Sequence, residues 1–161
     1  MCGRTIPHIG DARYTDMAAG GLWNLGQLAR QQLGPEQVKL VGLGAFEGSV
    51  TAGRYWGAPL EHMQLPPARE GSWEETLQQA GNSFYLLSKE IAHTNAVQQK
   101  VLHRAVGVVY NPEQERRSNY VPSRITKRYD AFLFFKNSQA LHPLRQEEAE
   151  SGLPDTYPWG F

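Results

Sequence analysis

Two residues near the start of the chain have the chemistry of reactive groups. Once Met1 is removed, Cys2 would place an amine and a thiolate on one residue, the pairing that an N-terminal nucleophile needs. The plainer account of Cys2 is one incidental thiol at a frayed terminus. His8 follows in Pro-His-Ile-Gly-Asp-Ala-Arg, with Asp11 and Arg13 close behind. An imidazole titrates near neutrality, and it acts as a base or donor where partners hold it in place. Asp11 and Arg13 are the nearest candidates for that support, while helix entry and loop salt bridging are their plainer roles. No second histidine stands three or four residues from His8, and His62, His93, His103 and His142 are scattered. No metal site and no cofactor are therefore expected. The adjacent acids Glu74 and Glu75 follow Ser72, so a capping box accounts for Glu75 and a favourable first-turn charge for Glu74. Neither acid is expected to be catalytic.

The elements that must position these groups read as strands alternating with helices. Leu25, Leu28, Ala29 and Leu33 recur at helical spacing, with Asn24 and Gln27 as cap and third residue and Gly34-Pro35 as the stop. Residues 38–46 (VKLVGLGAF) are short, nearly continuous in apolar residues and rich in Gly, which predicts a strand buried on both faces. Residues 47–71 carry repeated Gly and two adjacent Pro without a sustained period, so a long loop is expected. Within it Glu47, Arg54, Tyr55, Trp56, Glu61 and His62 are candidates to line an apolar pocket, an ordinary surface loop being the simpler reading.

Beyond that loop, Ser72 opens a second helix holding Trp73, Leu77 and Ala80 and ending at Gly81. Residues 84–87 (FYLL), 105–110 (AVGVVY) and 131–135 (AFLFF) read as further strands. Ala96, Val97, Val101 and Leu102 fit one face of a marginal helix capped at Thr94. The mixed charges of residues 113–129 predict a solvated excursion, and RQEEAESG after Leu144 reads as a polar tail. Strand and helix in alternation predict an α/β fold with a mostly parallel central sheet flanked by helices.

Composition narrows the partners. At 161 residues one domain is expected, against about 150 per domain, and 40% hydrophobic residues allow a modest core. Sixteen basic residues balance sixteen acidic ones, so the field that phosphate neutralisation requires is missing and nucleic acid is not expected as a partner. A single cysteine cannot form an internal disulfide, which points to a reducing, cytoplasmic setting. No apolar run approaches the ~20 residues of a membrane span, and the N-terminus lacks the apolar core of a signal peptide, so no membrane partner is expected.

The order of motifs is more specific than any of these. HIGDARYTDM followed by NLGQLAR resembles the erythromycin esterase family, whose closing half carries His-Asn-x-His-Ile-Gly-Asp-Ala-Arg and then a helix beginning Asn-x-Gly-Gln-Leu. VGLGAFEGSVTA and PPAREGSWE resemble the segments that follow in that family. RAVGVVYNPEQERRSNY, RYDAFLFF, ALHPL and LPDTYP continue the similarity in the same order, from His8 to Phe161. Residues 1–7 fall outside it.

The resemblance implies an α/β fold and hydrolysis of ester bonds, best known in macrolide lactones, by histidine-activated water without a metal. It departs from the family at two places. His8 stands at the second histidine position of the element, while Thr5 stands at the first. The family's general-base histidine lies in an earlier half that has no counterpart before His8. Residues 8–161 thus resemble the C-terminal part of an erythromycin-esterase-like domain, N-terminally truncated. The implied ligand is a small-molecule ester or macrolide, bound by an enzyme that is inactive or weak by itself. Two alternatives are a subunit completed by a separate N-terminal half, or self-associating through an exposed sheet edge, and a non-catalytic binding module of the same fold.

Overall fold

Local capping places the first helix where the sequence predicts it. The computed structural model describes residues 8–142, so Cys2 and the polar tail after Leu144 lie outside the described residues. Helix α1 spans Leu25–Leu33, with Asn24 Oδ1 accepting the Gln27 N–H at 3.0 Å and Gly34 closing it at φ 87°. Its buried face is the reverse of the expected one. Gly26, Gln27 and Arg30 point inward, while Leu25 and Leu33 are 62% and 63% exposed. Backbone approach and ion pairing decide this. A Cβ on Gly26 would lie 2.5 Å from the Gly10 carbonyl oxygen, and Arg30 reaches Asp130 at 2.6 Å and Asp11 at 3.5 Å. Only the Gly26 face can come this close.

Strand β1, Val41–Ala52, is longer than predicted and enters the segment expected to be a loop. It turns through residues 53–60 and pairs antiparallel with β2, Glu61–Leu65. Gly48 explains the passage. It sits at φ 128°, and a Cβ there would lie 2.1 Å from the Ser138 carbonyl oxygen. In β2 the alternation that buries Met63 and Leu65 is short enough to be lost among the flanking Gly and Pro residues.

Helix α2, Trp73–Leu77, begins at the predicted cap, where Ser72 Oγ accepts the Glu75 N–H at 3.2 Å. Strand β3, Ser83–Leu87, leads into the single turn α3, Ser88–Ile91. In place of the helix predicted after Thr94 there is a 3-10 turn at Asn95–Gln98 and then strand β4, Val101–Arg104. Residues 105–110 are not the predicted sheet strand. Asn119 accounts for this, because its carbonyl accepts the Ala105 N–H at 2.7 Å and its side-chain amide donates to the Ala105 carbonyl at 2.8 Å. Only Val109 then makes an isolated bridge, to Gly53.

The excursion predicted to be solvated is mostly interior. It contains α4, Glu115–Ser118, β5, Tyr120–Ser123, and α5, Ile125–Arg128, and both Glu115 and Arg128 are buried. Arg104 lies 2.8 Å from Glu115, and Arg128 donates to Ser123 Oγ at 2.6 Å. Glu115 thus meets an opposite charge inside the protein, whereas Arg128 is buried with its Nε and Nη2 unbonded.

Strand β6, Ala131–Ser138, completes a four-stranded sheet in the order β2-β1-β6-β3, while β4 and β5 pair separately. β1 and β6 are parallel, and every other neighbouring pair is antiparallel. The sheet is thus mixed and mostly antiparallel, which corrects the expected parallel arrangement. The α/β class holds. The β1–β2 hairpin supplies one antiparallel pair, and the return through β4 and α5 brings β6 alongside β3 in the opposite sense.

The inner face of the sheet carries Phe132 and Phe134 and packs on Leu40, Trp73, Val97, Ile125 and Tyr129. Gly42 and Gly44 oppose these rings, since a Cβ at Gly44 would lie 2.6 Å from Phe132 Cζ. The outer face is not buried as predicted. Leu43 and Tyr85, both in register with Leu133, are 66% and 69% exposed. Gly44→Val should destabilise the fold by about 1–3 kcal/mol by overpacking against Phe132. Urea denaturation checks this as a lower midpoint at unchanged slope.

Candidate functional site

Helix α2 has only one turn, yet it delivers the central carboxylate of the protein. With Ser72 capping its start, Trp73 and Glu74 both turn inward, and Trp73 Nε1 donates to the Ser123 carbonyl at 3.1 Å. Glu74 is fully buried. Its Oε1 lies 2.6 Å from His103 Nδ1, and its Oε2 accepts the Arg104 N–H at 3.1 Å. The acid read as a favourable first-turn charge is therefore the partner of a buried imidazole. A carboxylate accepts, so Nδ1 is the donor. Nε2 points toward Tyr129 Oη at 3.4 Å, and Phe132 meets the imidazole ring edge-on at 5.3 Å.

Arg104, next in β4, turns its guanidinium the other way. It donates to the carbonyls of Phe46 at 2.9 Å and Pro66 at 2.8 Å, and to Tyr120 Oη at 3.0 Å, beside Glu115. One side chain thereby ties β1, the segment after β2 and β5 together. Burial keeps the neighbouring phenols protonated. It pushes Tyr120 up to about 12 and raises Tyr110 and Tyr129 as well.

His103 and Tyr129 line an open cleft of about 1260 Å³ whose walls include Leu43, Val108 and Phe135. His8 is exposed and lines the same cleft, with its carbonyl accepting the Gly26 N–H at 3.2 Å. Asp11 and Arg13 pair with each other instead, Arg13 Nε and Nη2 donating at 2.9 and 2.6 Å, and neither side chain lines the cleft. Asp11 also caps the 3-10 turn Ala12–Tyr14. Burial by itself would raise the Asp11 pKa, but the Arg13 hydrogen bonds and the Arg13 and Arg30 charges hold it below 3.8. Of the candidates in residues 47–71, Arg54, Tyr55 and Trp56 reach the cleft, and Arg54 pairs with Glu61 at 3.0 Å. Glu47 and His62 do not line it.

The pair that sequence reasoning missed, Glu74 and His103, is 29 residues apart. His103 offered one weak signal, a titratable residue within the apolar run that precedes Ala105. Nothing local pointed to its partner. Among the described residues, no group of three or more His, Cys, Asp or Glu is placed to hold a metal ion, and no helix is long and apolar enough to cross a membrane.

The fold is a mixed α/β sheet beside a cleft lined by two histidines, His8 and His103, the second of which is held by the buried Glu74 carboxylate. The chain belongs to the erythromycin esterase family, whose model matches residues 7–138. Two solved structures share the fold. One is a Bacillus cereus protein, 11% identical, with a TM-score of 0.59 over 73% of this chain and 28% of its own. The other is described as a succinoglycan biosynthesis protein, 16% identical, with a TM-score of 0.62 over 82% of this chain and 31% of its own. The chain thus spans about three-tenths of the length of either structure.

The Asp11 cluster gives a pH prediction. A carboxylate whose folded pKa is depressed stabilises the fold above the unfolded value and loses that contribution as pH falls through the folded one. Asp11→Asn should cost about 1–3 kcal/mol at neutral pH. The gap from wild type should narrow only below pH 3.8, as shown by denaturation midpoints measured across the acid range.

Proposed function

We propose that this chain carries part of an ester-hydrolysing site of the erythromycin esterase type. Its cleft takes a small-molecule ester or a macrolide lactone, and histidine serves the activation of water. The observation that carries this reading is the place of His8, exposed in an apolar-walled cleft of a chain that matches the family over residues 7–138. Ester hydrolysis needs a base, a stabiliser for the oxyanion and an orienter. His8 is proposed for the oxyanion or the orienting role, with Asp11 and Arg13 supporting the turn that carries it.

The length relation to the solved structures supports a further part of the proposal. Additional polypeptide of the same fold would complete the site, docking against the open outer face around Leu43, Phe135 and Tyr85. Activity is then weak without that portion. A cytoplasmic setting, read from the single cysteine, belongs to the same proposal.

A second reading, a binding module without chemistry, is favoured by one observation. The Asp11 carboxylate is engaged by Arg13 and Arg30 and does not orient His8.

Incubation with p-nitrophenyl butyrate and with erythromycin separates the two readings. The assays use the chain alone and the chain mixed with the remaining portion of a longer relative, followed by absorbance and by mass. Hydrolysis that falls roughly 100-fold in His8→Ala is the expected result. Tight ligand binding with no turnover, indifferent to His8→Ala, would establish the binding module instead.

A further inference from the structure

Part of the cleft differs in chemistry from its apolar walls. Arg104, Tyr110 and Asn111 line it, and the turn between β1 and β2 adds Arg54, Tyr55 and Trp56. Two backbone bonds fix that turn beside Tyr110, from the Gly53 N–H to the Val108 carbonyl and from the Tyr110 N–H to the Gly53 carbonyl, both at 2.9 Å. Tyr55 and Trp56 are 67% and 55% exposed, so two large rings face water within the lining of a cleft. A ligand that covers them removes apolar surface from water and gains ring contacts. Tyr110 is the converse case. It is 1% exposed and packs on Ala52, Met63 and Leu65, yet its Oη has no hydrogen-bond partner among the described residues. The neighbouring phenol is satisfied twice, since Tyr120 Oη accepts the Arg69 N–H at 2.8 Å and Arg104 Nε at 3.0 Å. An unpaired buried hydroxyl destabilises a fold, and a polar group entering from the cleft relieves it.

From these observations we infer that this part of the cleft binds a neutral sugar ring. Charge balance excludes the ionic alternatives. The Arg104 guanidinium lies 2.8 Å from Glu115, and Arg54 Nε donates to Glu61 at 3.0 Å, so each cation here is already offset by a carboxylate. A phosphate would meet those acids and an ammonium those guanidinium groups, whereas an uncharged ligand displaces neither pair. Tyr110 Oη and the Asn111 amide call for a ligand with hydroxyls, because both can exchange hydrogen bonds with a group that donates and accepts. The Asn111 amide is held in place for this, with its Oδ1 accepting the Glu113 N–H at 3.0 Å and its NH2 end remaining a donor. Tyr55 and Trp56 call for a ligand with an apolar face. A pyranoside has both, since its ring C–H groups form a face while its hydroxyls project around the edge. The inference goes beyond ester hydrolysis and uses neither His8 nor any turnover, so it holds for a hydrolytic cleft and for a binding module alike.

The test titrates the full chain, labelled with nitrogen-15, with the methyl glycosides of glucose, galactose and mannose, and with cyclohexanol as a ring that has a single hydroxyl. At least one glycoside should give saturable shifts at the Trp56 indole N–H and the Asn111 side-chain amide, and cyclohexanol should bind more weakly. Trp56→Ala removes one ring and Tyr110→Phe removes only the unpaired oxygen, and each should weaken the glycoside roughly 10-fold, the equivalent of one good contact. Those results support the inference. It is overturned if no glycoside gives a saturable shift, or if cyclohexanol binds as tightly as the glycosides, which would make the cleft a plain apolar one. Wild-type affinity in folded Tyr110→Phe would also overturn it, by showing that Oη serves an interior water only. Should Tyr110→Phe not fold, Asn111→Ala takes its place, with a roughly 10-fold loss expected and unchanged affinity counting against the site. None of these readouts depends on hydrolysis, so failure of the esterase reading and failure of the sugar site are seen separately.

Discussion

A carboxylate with no contact with water must be met by donors on both oxygens, and much of this structure follows from how Glu74 is met. Its two donors come from neighbouring residues of β4, the side chain of His103 and the backbone of Arg104. For both to reach, α2 must lie across β4, which the bridge between Ser72 and Leu102 and the bond from Trp73 to the Ser123 carbonyl secure. With β4 held there, the Arg104 guanidinium falls among the carbonyls of β1 and the segment after β2. Removing one of these donors would leave a buried carboxylate oxygen unmatched, at a cost of about 1–3 kcal/mol or more. That penalty keeps α2, β4 and the floor of the cleft in one arrangement.

Glycine creates the room for this arrangement. Gly42 and Gly44 let the Phe132 and Tyr129 rings lie against β1, and Gly44 also clears space for the Glu74 carboxylate. The apolar side chains that alternate with them, Val41 and Leu43, necessarily point to the other face. That face is covered around Ala45 and Val50 by the Tyr110 cluster, while Leu43 and Tyr85 remain exposed.

Some of this was legible in the sequence. The caps at Asn24 and Ser72 placed both of the first helices, since a cap depends on residues within one turn. The motif order from His8 to the closing strand identified the family, because glycines and polar residues at set spacing record where backbones come close. The faces were less legible. The leucines of α1 predicted a buried stripe and lie outside, because Gly26 against Gly10 and Arg30 with Asp130 decide which side packs. The charges of residues 113–129 predicted solvent exposure, yet Glu115 has Arg104 beside it, a pairing invisible to composition. The Gly-rich run after Phe46 predicted a loop, whereas Gly48 is what lets β1 pass Ser138 and continue.

By itself, then, the sequence determined where chain segments start and stop, the α/β class, the kinship with erythromycin esterases and the presence of His8 beside a tight glycine turn. Each of these is carried by residues a few positions apart or by the order of short motifs. Only the tertiary structure decided the antiparallel character of the sheet and the inward face of α1. It alone brought Glu74 to His103 across 29 residues and Arg30 to Asp130 across 100. The physical reason is that burial and pairing of charge depend on which distant groups share a space without water. A carboxylate at a helix start looks the same in sequence whether its partner is solvent or an imidazole, and the fold supplies the difference.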